Sequence, residues 1–330
     1  LIPYSSSVNH STDYLTSTVM GRVQDILEKR KLVIDGALGT ELERLLPTTS
    51  TYLPSGSPLW SGQVLIKNPG LVEQVHLDYI NVGADMIITS TYQTSYASLH
   101  KYIGYDMDQA IALWNLALNV AKNAVKKSGR DDVIIAGSIG PYATLLANGS
   151  EYNGDYQGVT DEELIEYHTP LFEFYENSDV DIICIETIPS FQELKVIIGL
   201  AKKYTSKEFF ISINPQTGSA LSDGTSLIEV AQLFAEINDP RFVAVGINCT
   251  SYENVDQIST YLTDFPLFIY PNLGFVYDTT VHKFVSKVLQ ESTWSKSVAK
   301  WLAFPNVKAI GGCCSTTPAE IKQVAQLINQ

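Results

Sequence analysis

Three of the four cysteines stand directly after short apolar runs. Cys249 follows VAVGIN (Val243 to Asn248), and the adjacent Cys313 and Cys314 follow VKAIGG (Val307 to Gly312). Thiolates are soft ligands that suit zinc, and three of them around a tetrahedral ion leave a fourth position for a substrate. The same residues admit two plainer readings: small buried hydrophobes, or a vicinal dithiol that cycles to a disulfide. No CxxC spacing decides between them. Cys184 lies within DIICIE (Asp181 to Glu186) and reads as core filling. Four cysteines in 330 residues are too few for a disulfide scaffold, so reduced thiols with a specific task are expected.

Two carboxylates, Asp35 and Glu186, also end apolar runs. A carboxylate at a buried strand end is costly unless it meets a cation or a donor. The pair is expected either to hold an amino-group ligand or to join an internal hydrogen-bond or ion pair at the rim. Gly36 and Gly39, in DGALGTE, would let the backbone turn tightly and offer N–H groups to a ligand carboxylate. Their spacing is not GxGxxG, so no dinucleotide fingerprint is present. His10, His76, His100, His168 and His282 fall away from the run ends. They are expected on surfaces or helices, which gives a histidine triad or histidine metal site little support.

The runs that position these residues are short, apolar and β-branched: Leu32 to Asp35, Met86 to Ser90, Val133 to Gly137, Asp181 to Glu186, Phe209 to Asn214, Val243 to Asn248, Leu267 to Asn272 and Val307 to Gly312. Near-continuous apolar strands are covered on both faces, the habit of parallel sheets. Helical periodicity fills most gaps, over 71–82, 107–127, 161–177, 192–204, 226–237, 253–262 and 318–329. The alternation predicts an α/β fold, a single (β/α)8 TIM barrel, rather than a doubly wound sheet with a second domain. Stretches 47–67 and 142–158, rich in Gly, Ser, Pro and Asn, read as long loops after strands one and three. Chemistry in such a barrel sits at the C-terminal strand ends. With one strand between them, and neighbours about 5 Å apart, strands six and eight would bring Cys249 to Cys313 and Cys314. Residues 1–30 read as an N-terminal extension with a leading helix, and 31–330 as the catalytic barrel.

Composition narrows the partners. Lys and Arg number 22 against 36 Asp and Glu, a net charge of −14, which leaves no field for a nucleic-acid backbone. A hydrophobic content of 45% with 18% charged residues supports a large core. No stretch reaches the ~18 uninterrupted apolar residues of a membrane span. The first twenty residues are polar without a basic-then-apolar pattern, so a cytoplasmic location is expected, with small molecules as partners.

The segments DGALGTELE (Asp35 to Glu43), PLW (Pro58 to Trp60), TSTYQTSY (Thr89 to Tyr96), GSIGP (Gly137 to Pro141), ETIPS (Glu186 to Ser190), SDGTS (Ser222 to Ser226), GINC (Gly246 to Cys249) and GGCC (Gly311 to Cys314) together resemble the zinc-dependent homocysteine S-methyltransferases. GINC followed by GGCC is the specific part. The resemblance is greatest to the branch that uses S-methylmethionine or S-adenosylmethionine. It implies Zn2+ held by Cys249, Cys313 and Cys314, with Asp35 and Glu186 on the homocysteine amino group. It further implies N–H groups near Gly36 on the carboxylate, and Trp60 and Tyr96 along the pocket. The implied activity is methyl transfer from a sulfonium donor to the thiolate of L-homocysteine, giving methionine. PNLGF (Pro271 to Phe275) stands where the family often has PNSGE, so an acid is missing on the donor side. Two other functions fit the residues: a metal-independent barrel lyase or aldolase using Asp35 and Glu186, and a non-enzymatic thiol or zinc redox protein.

Overall fold

The computed structural model describes residues 21–278, 283–286 and 291–330. Its strands are β1 (Leu32–Val33), β2 (Met86–Ile88), β3 (Ile134–Ile139), β4 (Ile182–Ile188), β5 (Phe209–Ile213), β6 (Phe242–Ser251), β7 (Leu267–Asn272), β8 (Phe275–Asp278), β9 (Lys283–Ser286) and β10 (Val307–Ile310). Eight of them form one parallel sheet in the order β1-β10-β7-β6-β5-β4-β3-β2. A parallel bridge between Ile34 and Met86 joins its two edges. The result is a single (β/α)8 TIM barrel, with β8 and β9 as a separate antiparallel hairpin.

Alternation along the strands divides the core into two layers. Ile182, Cys184, Phe210, Phe268 and Tyr270 belong to the cluster inside the barrel, while Ile183, Ile185, Ile211 and Ile269 join the larger cluster shared with the helices. The leading helix Arg22–Leu27 contributes Val23 and Leu27 to the inner cluster. The Glu208 carboxylate accepts from Val23 N (2.8 Å) and Gln24 N (2.9 Å), so this first turn is capped by the residue just before β5. Residues 1–20 of the extension lie outside the described residues, as do His10 and His282.

The two presumed loops are more ordered than their composition suggests. Stretch 47–67 contains the 3-10 turn Pro54–Gly56 and the helix Ser61–Lys67, and stretch 142–158 contains the helix Ala143–Leu146 and the 3-10 turn Ser150–Tyr152. A seven-residue helix is marginal on propensity, and burial of Val64 and Leu65 holds it. The helix read over 253–262 shortens to Val255–Ser259 after a 3-10 turn at Tyr252–Asn254. An additional helix, Glu291–Leu302, packs buried Trp294, Val298 and Trp301 at helical spacing before β10.

Candidate active site at the barrel mouth

The Sγ atoms of Cys249, Cys313 and Cys314 lie within 4.8 Å of one another, with Cys249 and Cys314 3.9 Å apart. Sulfurs around a tetrahedral zinc at about 2.3 Å would be about 3.8 Å apart, so the three thiols fit one such ion. The backbone is built to bring them together. Cys249 adopts φ +53° and Ser315 φ +75°, left-handed conformations unusual for residues with side chains. The turn after β10 is pinned by Cys313 N to Pro271 O (2.8 Å) and Leu273 N to Cys314 O (3.2 Å). Asn272 Nδ2 donates to Cys249 O (3.0 Å). Thr316 Oγ1 donates to Cys313 O (2.7 Å) and accepts from Ala37 N (3.1 Å), tying this turn to β1. A Cβ on Gly312 would fall 2.3 Å from the Thr316 side chain, which explains the glycine before the cysteine pair. Hydrogen bonds from Cys249 and Cys313 draw the Cys314 thiol well below its usual range, while hydrogen bonding within the cluster, then burial and the neighbouring thiol charges, push Cys249 and Cys313 up. The cluster therefore stabilises an anionic sulfur.

Asp35 and Glu186 are buried beside the thiols, 5% and 7% exposed. Each has one anchored oxygen: Asp35 Oδ2 accepts from Ile88 N (2.9 Å), and Glu186 Oε1 accepts from Ser138 Oγ. Burial pushes Glu186 up to about 7 and Asp35 well above the usual carboxylate range, with the Glu186 charge adding to the Asp35 shift. A cation between them relieves both penalties. Behind Glu186, Thr187 sits at φ +63° and is clamped by Asn248, whose Oδ1 accepts from Thr187 N (3.0 Å) and whose Nδ2 donates to Thr187 Oγ1 (2.8 Å).

Neither Gly36 nor Gly39 uses a left-handed φ, so the tight-turn reason is corrected. Gly36 is small because Tyr79 lies against it; a Cβ there would meet Tyr79 Cε1 at 2.7 Å. The Tyr79 hydroxyl in turn faces the carbonyls of Ala37 and Thr316 at 3.1 Å each. Gly39 lies in the helix Leu38–Leu45, whose N-cap Ala37 supplies no side-chain cap. That leaves first-turn N–H groups next to Asp35, a ready place for a carboxylate.

The profile of the homocysteine S-methyltransferase family matches residues 32–328. The chain belongs to the homocysteine S-methyltransferase family. It is 34% identical to homocysteine S-methyltransferase YbgG of Bacillus subtilis, over 93% of this chain and 97% of that one. It is 35% identical to the Escherichia coli homocysteine S-methyltransferase, over 90% of this chain and 95% of that one. A metallated crystal form of the Escherichia coli homocysteine methyltransferase MmuM superposes with a TM-score of 0.78 at 32% identity, covering 92% of this chain and 99% of that one. The chain is therefore an enzyme of this family, which sets aside the lyase and redox-protein alternatives.

Trp60 and Tyr96 are the aromatic residues expected along the pocket of this methyltransferase. Trp60 is 42% exposed at φ +47°, heading the helix Ser61–Lys67, and Tyr96 pairs with His100 of its own helix at 5.8 Å between rings. Tyr152 and Tyr92, which the sequence reading did not single out, feel the thiol charges, as Tyr79 does more weakly. The Cys249 and Cys314 charges are the main reason the Tyr152 phenol is pushed up, although its residue remains 48% exposed. Burial chiefly raises Tyr92, with Glu151 and Cys249 adding. Glu151 is raised by burial and by Cys314, and its carbonyl is held by Asn214 Nδ2 at 2.8 Å. The 142–158 stretch pointed to a functional rim; nothing local distinguished Glu151 or Tyr152 within it.

His76, His100 and His168 are on helices, as expected, but His76 and His168 are fully enclosed. His168 Nε2 meets Glu193 Oε1 at 2.8 Å, and Glu193 also accepts from Tyr142 N (2.6 Å) and the Tyr156 hydroxyl. This buried cluster anchors both ends of the stretch that carries Glu151 and Tyr152. Among the described residues no helix is long and apolar enough to cross a membrane.

Proposed function

We propose that this methyltransferase moves the methyl group of a sulfonium compound, S-methylmethionine or S-adenosylmethionine, to the sulfur of L-homocysteine, giving methionine. Cys249, Cys313 and Cys314 would hold the metal, which we take to be zinc, and the 3.9 Å separation of two of these sulfurs is the observation that carries the reading. Zinc bound there supplies the Lewis acidity that keeps a substrate thiol deprotonated near neutral pH.

The chain's own residues orient the acceptor. Asp35 and Glu186 receive the α-ammonium group with the oxygens left over from their anchors. The uncapped first turn of the helix Leu38–Leu45, beginning beside Gly36, receives the carboxylate. With both ends held, the side-chain sulfur is directed to the thiol cluster. Glu151 and the Tyr152 ring offer a carboxylate and an aromatic face, the pair of groups that suits a sulfonium cation. Trp60 and Tyr96 extend that aromatic rim. The donor C–S bond breaks with its electron pair left on the donor sulfur, and the thiolate pair forms the new bond. One positive and one negative charge disappear together. No proton moves in this step, so it needs no general base beside the thiols.

Reduced thiols match a reducing compartment, and we assign the protein to the cytoplasm with residues 31–330 as its catalytic domain. The test incubates reduced, zinc-loaded protein with homocysteine and each sulfonium in turn while methionine is measured. Methionine with at least one donor, and none with betaine, is expected. Folded, metal-bound protein that is silent with both sulfoniums would overturn the reading.

A further inference from the structure

Beneath Glu186 the barrel interior carries polar side chains that the transfer itself does not use. Ser212 Oγ is hydrogen-bonded to the Tyr270 hydroxyl, and that hydroxyl lies 3.8 Å from Cys184 Sγ. Cys184 and Glu186 stand two apart on β4, so their side chains leave the same inward face, with the thiol next below the carboxylate. From the far side Ser138 Oγ donates to Glu186 Oε1. Ser138, Cys184 and Ser212 are 0% exposed and Tyr270 1%. All face inward, from β3, β4, β5 and β7, among Ile134, Ile182, Phe210 and Phe268.

Hydroxyls in such a layer are unfavourable unless bonded to one another. A phenylalanine would fill the Tyr270 position without that demand. Room has been made for the series as well: a Cβ on Gly246 would stand 1.8 Å from Ser212 Oγ. Each of Ser212, Tyr270 and Cys184 has one proton to give, whereas an ionised Glu186 only accepts. The protons can therefore all point the same way, Ser212 to Tyr270 to Cys184 to Glu186, and polarise one another along the series.

We propose that Ser212, Tyr270 and Cys184 are positioning residues that fix the Glu186 carboxylate from below in the pose that receives a primary ammonium group, and so set the enzyme's preference for amino thiols. This rests on homocysteine being the acceptor. A thiol acid without the amine has nothing to gain from the series, which separates this role from general support of the barrel.

The experiment compares homocysteine with 4-mercaptobutanoate, the same thiol acid lacking the amine, in the wild type and in Tyr270→Phe, Cys184→Ala, Cys184→Ser and Ser212→Ala. Zinc content and thermal unfolding are measured beside KM and kcat. For Cys184→Ala the KM for homocysteine should rise about tenfold, the worth of one lost hydrogen bond to a charged group, and for Tyr270→Phe, which acts through the thiol, about fivefold. Their kcat, zinc content and KM for 4-mercaptobutanoate should stay within about twofold, and Cys184→Ser should restore most of the loss. Ser212→Ala, the mildest change, serves if the others fail to fold. Equal effects on both thiols, or an unchanged preference for homocysteine, overturn the inference while the transfer reaction stands. A wild type that makes no methionine overturns the proposed function and this inference with it.

Discussion

The sulfurs of Cys249 and Cys314 lie 3.9 Å apart although 65 positions separate them in the chain. Neighbouring strands β6, β7 and β10 supply the closeness, and left-handed backbone at Cys249 and Ser315 turns the thiols inward. Each of Cys249→Ser, Cys313→Ser and Cys314→Ser should therefore abolish stoichiometric zinc binding. Methionine formation should fall by at least about 100-fold, with the far-ultraviolet spectrum unchanged. Metal analysis beside the assay checks this; a variant that keeps its zinc would remove that cysteine from the ligand set.

Glu186→Gln and Asp35→Asn keep size and shape but remove the charge that meets the ammonium. A hydrogen bond to a charged group is worth about 1.5–3 kcal/mol, so the KM for homocysteine should rise roughly 10- to 100-fold. The donor KM should not change. Steady-state kinetics with each substrate varied in turn would show it.

Glu151→Gln tests the opposite side of the site. If its carboxylate meets the sulfonium, the donor KM rises roughly tenfold while the homocysteine KM holds, because one charge-assisted contact is lost on the donor alone. A shift in the homocysteine KM instead would place Glu151 with the acceptor.

Gly312→Ala puts a methyl 2.3 Å from Thr316, whose hydroxyl joins Cys313 O to Ala37 N. Displacing that bridge should destabilise the fold by about 1–3 kcal/mol in urea. It should also weaken zinc retention against a chelator, since the cysteine turn is what moves.

His76 is buried with neither ring nitrogen bonded, and burial lowers its pKa from 6.5 to about 4. Below pH 6.5 the unfolded chain takes up a proton that the folded chain refuses. Stability from this group is thus complete above pH 6.5 and is lost as pH falls toward 4. The loss reaches on the order of 3 kcal/mol at pH 4. Glu186, with its raised value near 7, contributes in the opposite sense over 4.5 to 7. The difference between wild type and His76→Phe isolates the histidine: the gap between their unfolding free energies should change with pH across 4 to 6.5 and be constant above it.

Much of the barrel was legible because parallel strands must be apolar on both faces. The runs from Leu32 to Gly312 announced themselves by composition, and with them the meeting of Cys249 with Cys313 and Cys314. What was not legible depends on distant partners. Gly36 looked like a turn residue, but its reason is the ring of Tyr79. Cys184 looked like filler because its partner Tyr270 comes from another strand, 86 positions on. The helix Ser61–Lys67 is too short to appear by propensity and exists through burial. Tyr152 and Glu151 feel the thiol charges from a loop that Asn214 and the Glu193 cluster hold down.

The most direct measurement is X-ray absorption at the zinc edge of the purified protein, before and after homocysteine is added. Three sulfur scatterers at about 2.3 Å, rising to four with homocysteine, are predicted. Fewer than three protein sulfurs, or a count that homocysteine leaves unchanged, would contradict the account.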